Sequence, residues 1–260
     1  MQHPLVSIRN LSYCYSDGTL ALNGINLDIF PGERLALVGA NGSGKSTLLL
    51  HLNGLLLPQQ GTITVDNYPI TCKNLQVIRN HVGLVFQNPD DQLFMPTVWE
   101  DLAFGPMNQQ LSGQLLEERL EKAMDDVGLV LSYYRERLTN NLSGGEKKRI
   151  AIAGVLAMQP KILILDEPSA QLDPNSRRQL IRLLERLDLT QLIATHDLDL
   201  ALELCNRVII LNQGKIVNDD FTVNSLSNST LLEKNSLELP LSYSRPYCRI
   251  SDNNLYADGN

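Results

Sequence analysis

Arg34-Leu35-Ala36-Leu37-Val38-Gly39-Ala40-Asn41-Gly42-Ser43-Gly44-Lys45-Ser46-Thr47 decides the fold class. Its first five residues form a nearly continuous apolar run, the pattern of a strand covered on both faces. Residues 46–53 carry apolar side chains at three- and four-residue spacing, the pattern of a helix. Between strand and helix, glycines let the backbone wrap an anion with its N–H groups turned inward, and the helix adds its positive N-terminus. Lys45 brings a point charge for outer phosphates, and the Ser46 hydroxyl suits a magnesium ion. A glycine-rich surface turn is the competing reading. It fails because Gly39, Asn41, Gly42, Ser43, Gly44, Lys45, Ser46 and Thr47 fall in the order G-x-x-x-x-G-K-[ST] on those two elements.

The rest of the chain supplies a frame for that loop. Val6-Ser7-Ile8 and residues 22–29 alternate apolar with polar at period two, as half-buried antiparallel strands do. Ile162-Leu163-Ile164-Leu165 and Leu192-Ile193-Ala194 are further buried strands, and helical spacing recurs over 150–158, 175–187 and 198–205. These alternating signals predict an α/β fold with a mostly parallel core sheet and an N-terminal antiparallel β subdomain. From about 88 to 160 the pattern turns helical, with Ser112 at the N-cap position of one helix, which reads as an inserted helical subdomain. Past Phe221 the signal weakens to one helix over 229–238 and a polar tail over 241–260.

Composition narrows the function classes. With 260 residues, 43% hydrophobic and 20% charged, the chain can bury one large core, or one core and a subdomain. Lys and Arg total 22 against 29 Asp and Glu, a formal charge of −7 that argues against a nucleic-acid surface. No apolar run approaches the roughly 18 residues that span a bilayer, and Met1-Gln2-His3-Pro4 begins no signal peptide, so the expected place is the cytoplasmic side. Cys14, Cys72, Cys205 and Cys248 lie far apart and read as reduced, buried or half-buried thiols. Of His3, His51, His81 and His196, only His196 has neighbours that suggest chemistry.

Two further clusters carry that chemistry. Asp166 and Glu167 end a buried strand, where open α/β sheets bind ligands; Asp166 can hold magnesium through water, and Glu167 can polarise an attacking water. An acidic turn in solvent would explain Asp-Glu alone, but not beside a phosphate loop. Leu142-Ser143-Gly144-Gly145-Glu146-Lys147-Lys148-Arg149 leads into a helix expected over 149–158 and makes a second anion-binding N-terminus. One nucleotide does not need two cradles.

This combination resembles the ATP-binding cassette (ABC) family, over about residues 5–240. The resemblance implies ATP and Mg2+ as ligands. It also implies a head-to-tail dimer in which Ser143, Gly144, Gly145 and Glu146 close on the ATP held by a second ATPase subunit. Gln87 resembles the glutamine that senses magnesium and the attacking water. Ser169-Ala170-Gln171-Leu172-Asp173 resembles the D-loop that joins the two sites, with Gln171 where close relatives carry glycine. His196, in Thr195-His196-Asp197, resembles the switch histidine that contacts the γ-phosphate. Tyr15 resembles the aromatic that stacks on adenine; Tyr13 can do the same, or both can be packing. Glu146 stands where glutamine is common, a variant expected to have little functional weight.

Gln87-Asn88-Pro89-Asp90-Asp91-Gln92-Leu93-Phe94, with Thr97-Val98 and Ala103-Phe104-Gly105-Pro106, is similar to the energy-coupling factor importers of that family. There, ATPases on the cytoplasmic face of the membrane drive a transmembrane coupling subunit that works a separate substrate-binding membrane subunit. The short C-terminal region resembles the cobalt and nickel branch, which uses one ATPase as a homodimer; the vitamin branch pairs two. In these importers arginines on coupling helices enter a groove near Gln87. Asp90 and Asp91 match that task, with Leu93, Phe94 and Met95 as an apolar floor or, for Met95, tucked into the helical region. Chromosome-structure ATPases would insert coiled coils, translation factors would carry two cassettes, and a monomeric P-loop kinase would lack Ser143-Gly144-Gly145; none of these patterns is present.

Overall fold

Alternating and continuous apolar runs sort into two sheets in the computed structural model, which describes residues 3–244. In chain order β1 (Val6–Cys14) and β2 (Leu20–Ile29) precede β3 (Arg34–Val38) and α1 (Lys45–Leu52). Next come β4 (Gln60–Val65), β5 (Tyr68–Pro69), α2 (Leu75–His81) and β6 (Val82–Val85). The chain then runs through α3 (Val98–Asn108), α4 (Gly113–Asp126), α5 (Leu131–Tyr134) and α6 (Gly144–Leu156) before returning as β7 (Ile162–Asp166). It continues through α7 (Pro174–Arg186), β8 (Thr190–Ala194), α8 (Leu198–Leu204), β9 (Arg207–Asn212) and β10 (Lys215–Phe221). The short helices α9 (Thr222–Leu226), α10 (Ser229–Lys234) and α11 (Leu241–Ser244) follow.

The first sheet, in order β2-β1-β4-β5, is antiparallel throughout. The second, in order β10-β9-β3-β8-β7-β6, is parallel from β9 to β6, with β10 added antiparallel at one edge. Side chains of a strand alternate between faces, and here both faces are covered. Leu35 and Leu37 of β3 enter the core shared with the antiparallel sheet and α1, while Ala36 and Val38 enter the core under α6, α7 and α8. Ile162 and Ile164 separate from Leu163 and Leu165 in the same way. Double burial is why these strands read as unbroken apolar runs.

Parallel pairing also gathers the site. The C-terminal ends of β3, β6, β7 and β8 lie along one edge of one sheet, and the segments leaving them hold Gly39, Gln87, Glu167 and His196. In an open α/β sheet that edge is where ligands bind.

The structure corrects four expectations. The helix expected from 149 begins at Gly144, with Ser143 as its N-cap: two glycines hide the first turn, and the cap hydrogen bonds compensate for their poor propensity. The helix expected over 229–238 ends at Lys234, because Ser236 takes φ +57 and the Leu237 N–H turns back to the Leu232 carbonyl. Ser112 holds the N-cap position of α4, but its side chain makes no cap hydrogen bond. Cys72 is exposed, while Cys14 is half-buried and Cys205 buried, all three as free thiols. Cys248 and residues 245–260 of the expected tail lie outside the described residues.

Candidate functional site

The phosphate loop is built by close backbone approach. Gly44 takes φ +108, and a Cβ there would lie 2.5 Å from the Ala21 carbonyl oxygen; at Gly39 it would lie 2.2 Å from that of Leu211. Only glycine fits either place. Ser43 is 4% exposed, and its Oγ finds no hydrogen-bond partner among the described residues. A buried hydroxyl without a partner is costly, which singles out Ser43 within the loop. Lys45 is buried too, curled onto the loop with Nζ donating to the Gly39 carbonyl at 2.7 Å and the Ala40 carbonyl at 3.2 Å. Burial lowers its pKa, against the pull of Glu167 and Asp166.

Asp166, at the end of β7, is pushed up by burial and drawn back by a hydrogen bond from Ser46, one residue past Lys45. The same cavity, of about 1220 Å³, is lined by Gly39, Asn41, Gly42, Lys45 and Ser46, and by Gln87, Asp166, Glu167 and His196. The hard oxygen donors of Ser46 and Asp166 would suit a magnesium ion, which would supply positive charge beside the phosphate loop. Among the described residues no cluster of three His, Cys, Asp or Glu forms a metal site by itself.

Glu167 is 7% exposed and sits at φ +44, a left-handed conformation that non-glycine residues keep only where the surroundings impose it. Its Oε2 lies 2.7 Å from His196 Nδ1 and accepts the His196 N–H at 3.2 Å. The two candidates, Glu167 as base and His196 as switch histidine, therefore touch. Arg177, which sequence reasoning passed over, helps hold this corner. Arg177 forks onto Asp197 at 2.8 and 3.1 Å, and Ser169 donates to the same carboxylate at 3.4 Å, tying the D-loop segment to the residue after His196. Gln171 takes φ +61, the physical reason a glycine suits that place.

Tyr15 and Tyr13 differ in exposure. Tyr13 packs against the core and edge-on to His51, whereas Tyr15 stays 38% exposed with its hydroxyl 3.0 Å from Thr47 Oγ1. The two rings meet edge-on at 5.1 Å, and Tyr15 is the more exposed of them.

The second cradle does not line the cavity. Ser143 and Gly144 are exposed, and Glu146 closes a capping box: it accepts the Ser143 N–H at 2.8 Å and the Ser143 hydroxyl at 2.7 Å. The Tyr134 hydroxyl donates to the same carboxylate at 2.8 Å. These bonds, those from Ser143 foremost, hold the Glu146 carboxyl below the usual range.

Asp90 is less free than its sequence suggests. Its carboxylate is 2.6 Å from Lys147 Nζ, while Asp91 is exposed and pairs with no described residue. Nearby, Phe94 is 62% exposed and meets Phe104 edge-on at 4.9 Å; Leu93 and Met95 are half-buried. Asp101, its carboxyl raised by burial, fixes this turn by accepting the Phe94 and Met95 N–H groups at 2.8 Å each. Lys148 was also missed, because placing the helix start at 149 left it in a loop. It is 2% exposed, and burial lowers its pKa to about 8.

Comparison with known proteins agrees with this geometry. The family model described as ABC transporter matches residues 22–170. A putative ABC transporter ATP-binding protein of Gloeobacter violaceus is 57% identical over 245 residues, 94% of this chain and all of the relative. The energy-coupling factor transporter ATP-binding protein EcfA of Methanothermobacter thermautotrophicus is 46% identical, over 91% of this chain and 77% of the relative. Among solved structures, cbiO1 of Clostridium perfringens, described as part of the ABC transporter complex cbiONQ, superposes with a TM-score of 0.79 at 39% identity, over 90% of this chain and 94% of that one. The phosphate loop, the strand-end carboxylate pair and the exposed start of α6 all fall within the matched residues, and the chain belongs to the ABC transporter family, as an ATP-hydrolysing subunit.

Proposed function

We propose that this chain is the ATPase of an energy-coupling factor importer, residues 1–240 forming the ATPase domain, and that it works as a homodimer on the cytoplasmic face of the membrane. The observation that carries the reading is the separation of the two cradles. One lies in the cavity with Asp166, Glu167 and His196; the other, at Ser143 and Gly144, is exposed and does not line it. A twofold, head-to-tail pair completes each site with the other subunit's second cradle. Among the described residues no helix is long and apolar enough to cross a membrane.

In each site the loop N–H groups, Lys45 and the Ser43 hydroxyl hold the phosphates, and Tyr15 stacks on adenine. Magnesium, when bound at Ser46, Asp166 and Gln87, neutralises charge on the β- and γ-phosphates. Glu167 accepts a proton as water attacks the γ-phosphorus and the bond to the β-bridging oxygen breaks, releasing ADP and phosphate. His196, held against Glu167, meets the γ-phosphate. Asp91, Phe94 and Phe104 form the surface for the transmembrane coupling subunit, with Asp90 shared with Lys147. The cargo is a transition-metal ion, cobalt or nickel, held by a separate membrane subunit. A vitamin importer of the same type, or another ABC importer subclass, is the competing reading. The stoichiometric membrane partners decide between them.

Glu167→Gln tests the core of the reading. Hydrolysis is expected to fall by about 10² to 10⁴, the usual worth of a general base, while ATP binding persists and ATP-bound dimers accumulate on size exclusion. Normal phosphate release would sink the assignment.

A further inference from the structure

The ammonium of Lys148 is buried and takes no part in the chemistry above. It reaches from α6 to the loop after β6, where Nζ donates to the Gln87 carbonyl at 2.5 Å and the Phe86 carbonyl at 3.3 Å. Burying an ammonium is costly unless its protons are used, and among the described residues no carboxylate touches it, the Asp166 charge acting on it from farther off. The Gln87 amide, in contrast, hydrogen-bonds no described side chain or backbone group, so its place in the cavity depends on how its own backbone is held. Two neighbouring contacts secure the rest of the loop to the same helix. Gln92 Nε2 donates to the Ala151 carbonyl at 3.0 Å, with Oε1 accepting the Phe86 N–H at 3.1 Å, and Lys147 pairs with Asp90 at 2.6 Å. Only Lys148 grips the residue that lines the cavity.

We propose that Lys148 is a positioning residue for Gln87: its ammonium fixes the loop carbonyls so that the Gln87 amide faces the nucleotide, and joins that amide rigidly to the helix that begins at Ser143. The proposal rests on the reading of Gln87 as part of the hydrolytic site. Because α6 carries the second cradle at its N-terminus, displacement of that cradle against a partner's ATP carries Gln87 with it. The strut thus links the far site to the near one within a single chain.

A double-mutant cycle on the full chain separates this from a merely structural lysine. Lys148→Met is expected to lower kcat for ATP hydrolysis about ten- to a hundredfold, the scale of a misplaced site group, with the KM for ATP held within about twofold. In the Gln87→Ala background the same change is expected to cost less than about twofold more, since the amide it positions is already gone. Amide hydrogen exchange of the nucleotide-free protein should rise over 86–92 and stay unchanged over 39–47. Multiplicative losses in the double variant, or wild-type turnover by Lys148→Met, would overturn the strut and leave the role of Gln87 standing. Wild-type turnover by Gln87→Ala would overturn both. Should Lys148→Met fail to fold, Lys148→Ala, whose vacated space admits water to the two carbonyls, passes through the same cycle under the same criteria.

Discussion

Glu146→Gln puts a number on a residue that the sequence ranks as a minor variant. The Glu146 carboxylate occupies the first turn of α6 and accepts three hydrogen bonds, two from Ser143 and one from Tyr134, with Arg137 at 3.6 Å. Held below the usual range, it is fully ionised at neutral pH. Negative charge there suits the helix terminus and the capping box. It opposes the phosphates that a second subunit would bring to Ser143 and Gly144. Glutamine keeps the shape and one carbonyl acceptor but loses the charge. Hydrogen bonds to charged groups are worth about 1 kcal/mol more than neutral ones, and the side chain is 21% exposed, so the variant is expected to lose about 1 kcal/mol, or roughly 2–4 °C in Tm. Dimer formation should move the other way. One charge at a helix end acts with about 0.3–1 kcal/mol, a factor of about two to five per site, and two sites make about 4- to 25-fold tighter ATP-driven association. Sedimentation of the Glu167→Gln protein with and without Glu146→Gln, in MgATP, measures it, and raised salt should shrink the gain. A dimer weakened by Glu146→Gln, or a gain indifferent to salt, would refute the electrostatic argument.

Two further outcomes follow from the loops. Since Lys147 already engages Asp90 and Asp91 has no partner among the described residues, Asp91→Arg should disrupt co-purification with membrane subunits more than Asp90→Arg, with soluble ATP binding intact in both; equal retention by the two variants counts against the docking surface. Gln171→Gly should raise Tm, because relief of about 1–2 kcal/mol at φ +61 exceeds the roughly 0.5–1 kcal/mol of added chain entropy; a lower Tm would show that the Gln171 side chain contributes contacts of its own.

What the sequence discloses depends on whether a group's task is local. The phosphate loop is legible because its chemistry is backbone chemistry: glycines at 39 and 44, a lysine and a serine suffice, and β3 and α1 announce themselves on either side. Strands β3, β7 and β8 are legible because both faces are buried. Two more exposed strands are not: β4 exposes half of its residues and β10 most, so their apolar pattern is thin. The start of α6 was legible in one code and masked in another, since Ser143 and Glu146 spell a capping box while Gly144 and Gly145 argue against helix.

Contacts between distant elements are the part that spacing cannot show. Asp90 reads as free because its charge is visible and its neighbour is not: Lys147 lies 57 residues on. The chain leaves β6, passes through α3, α4, α5 and α6, and returns as β7 parallel to β6, and this crossover is what lays α6 over the loop it left. The same crossover sets Lys148 on the Gln87 carbonyl across 61 residues. A parallel pair requires such a returning connection, so some face of some helix must cover the loop after β6. Which face it is depends on where α6 starts. With the start at 149 neither lysine belongs to the helix; with the start at Gly144, capped by Ser143, both do, on successive positions of its second turn. The capping box of Ser143 and Glu146 therefore fixes more than a helix end. By carrying α6 back to Gly144 it makes residues 147 and 148 helical, and the packing of that helix sets Lys147 on Asp90 and Lys148 in the interior, which leaves Asp91 as the carboxylate of the pair without a partner among the described residues.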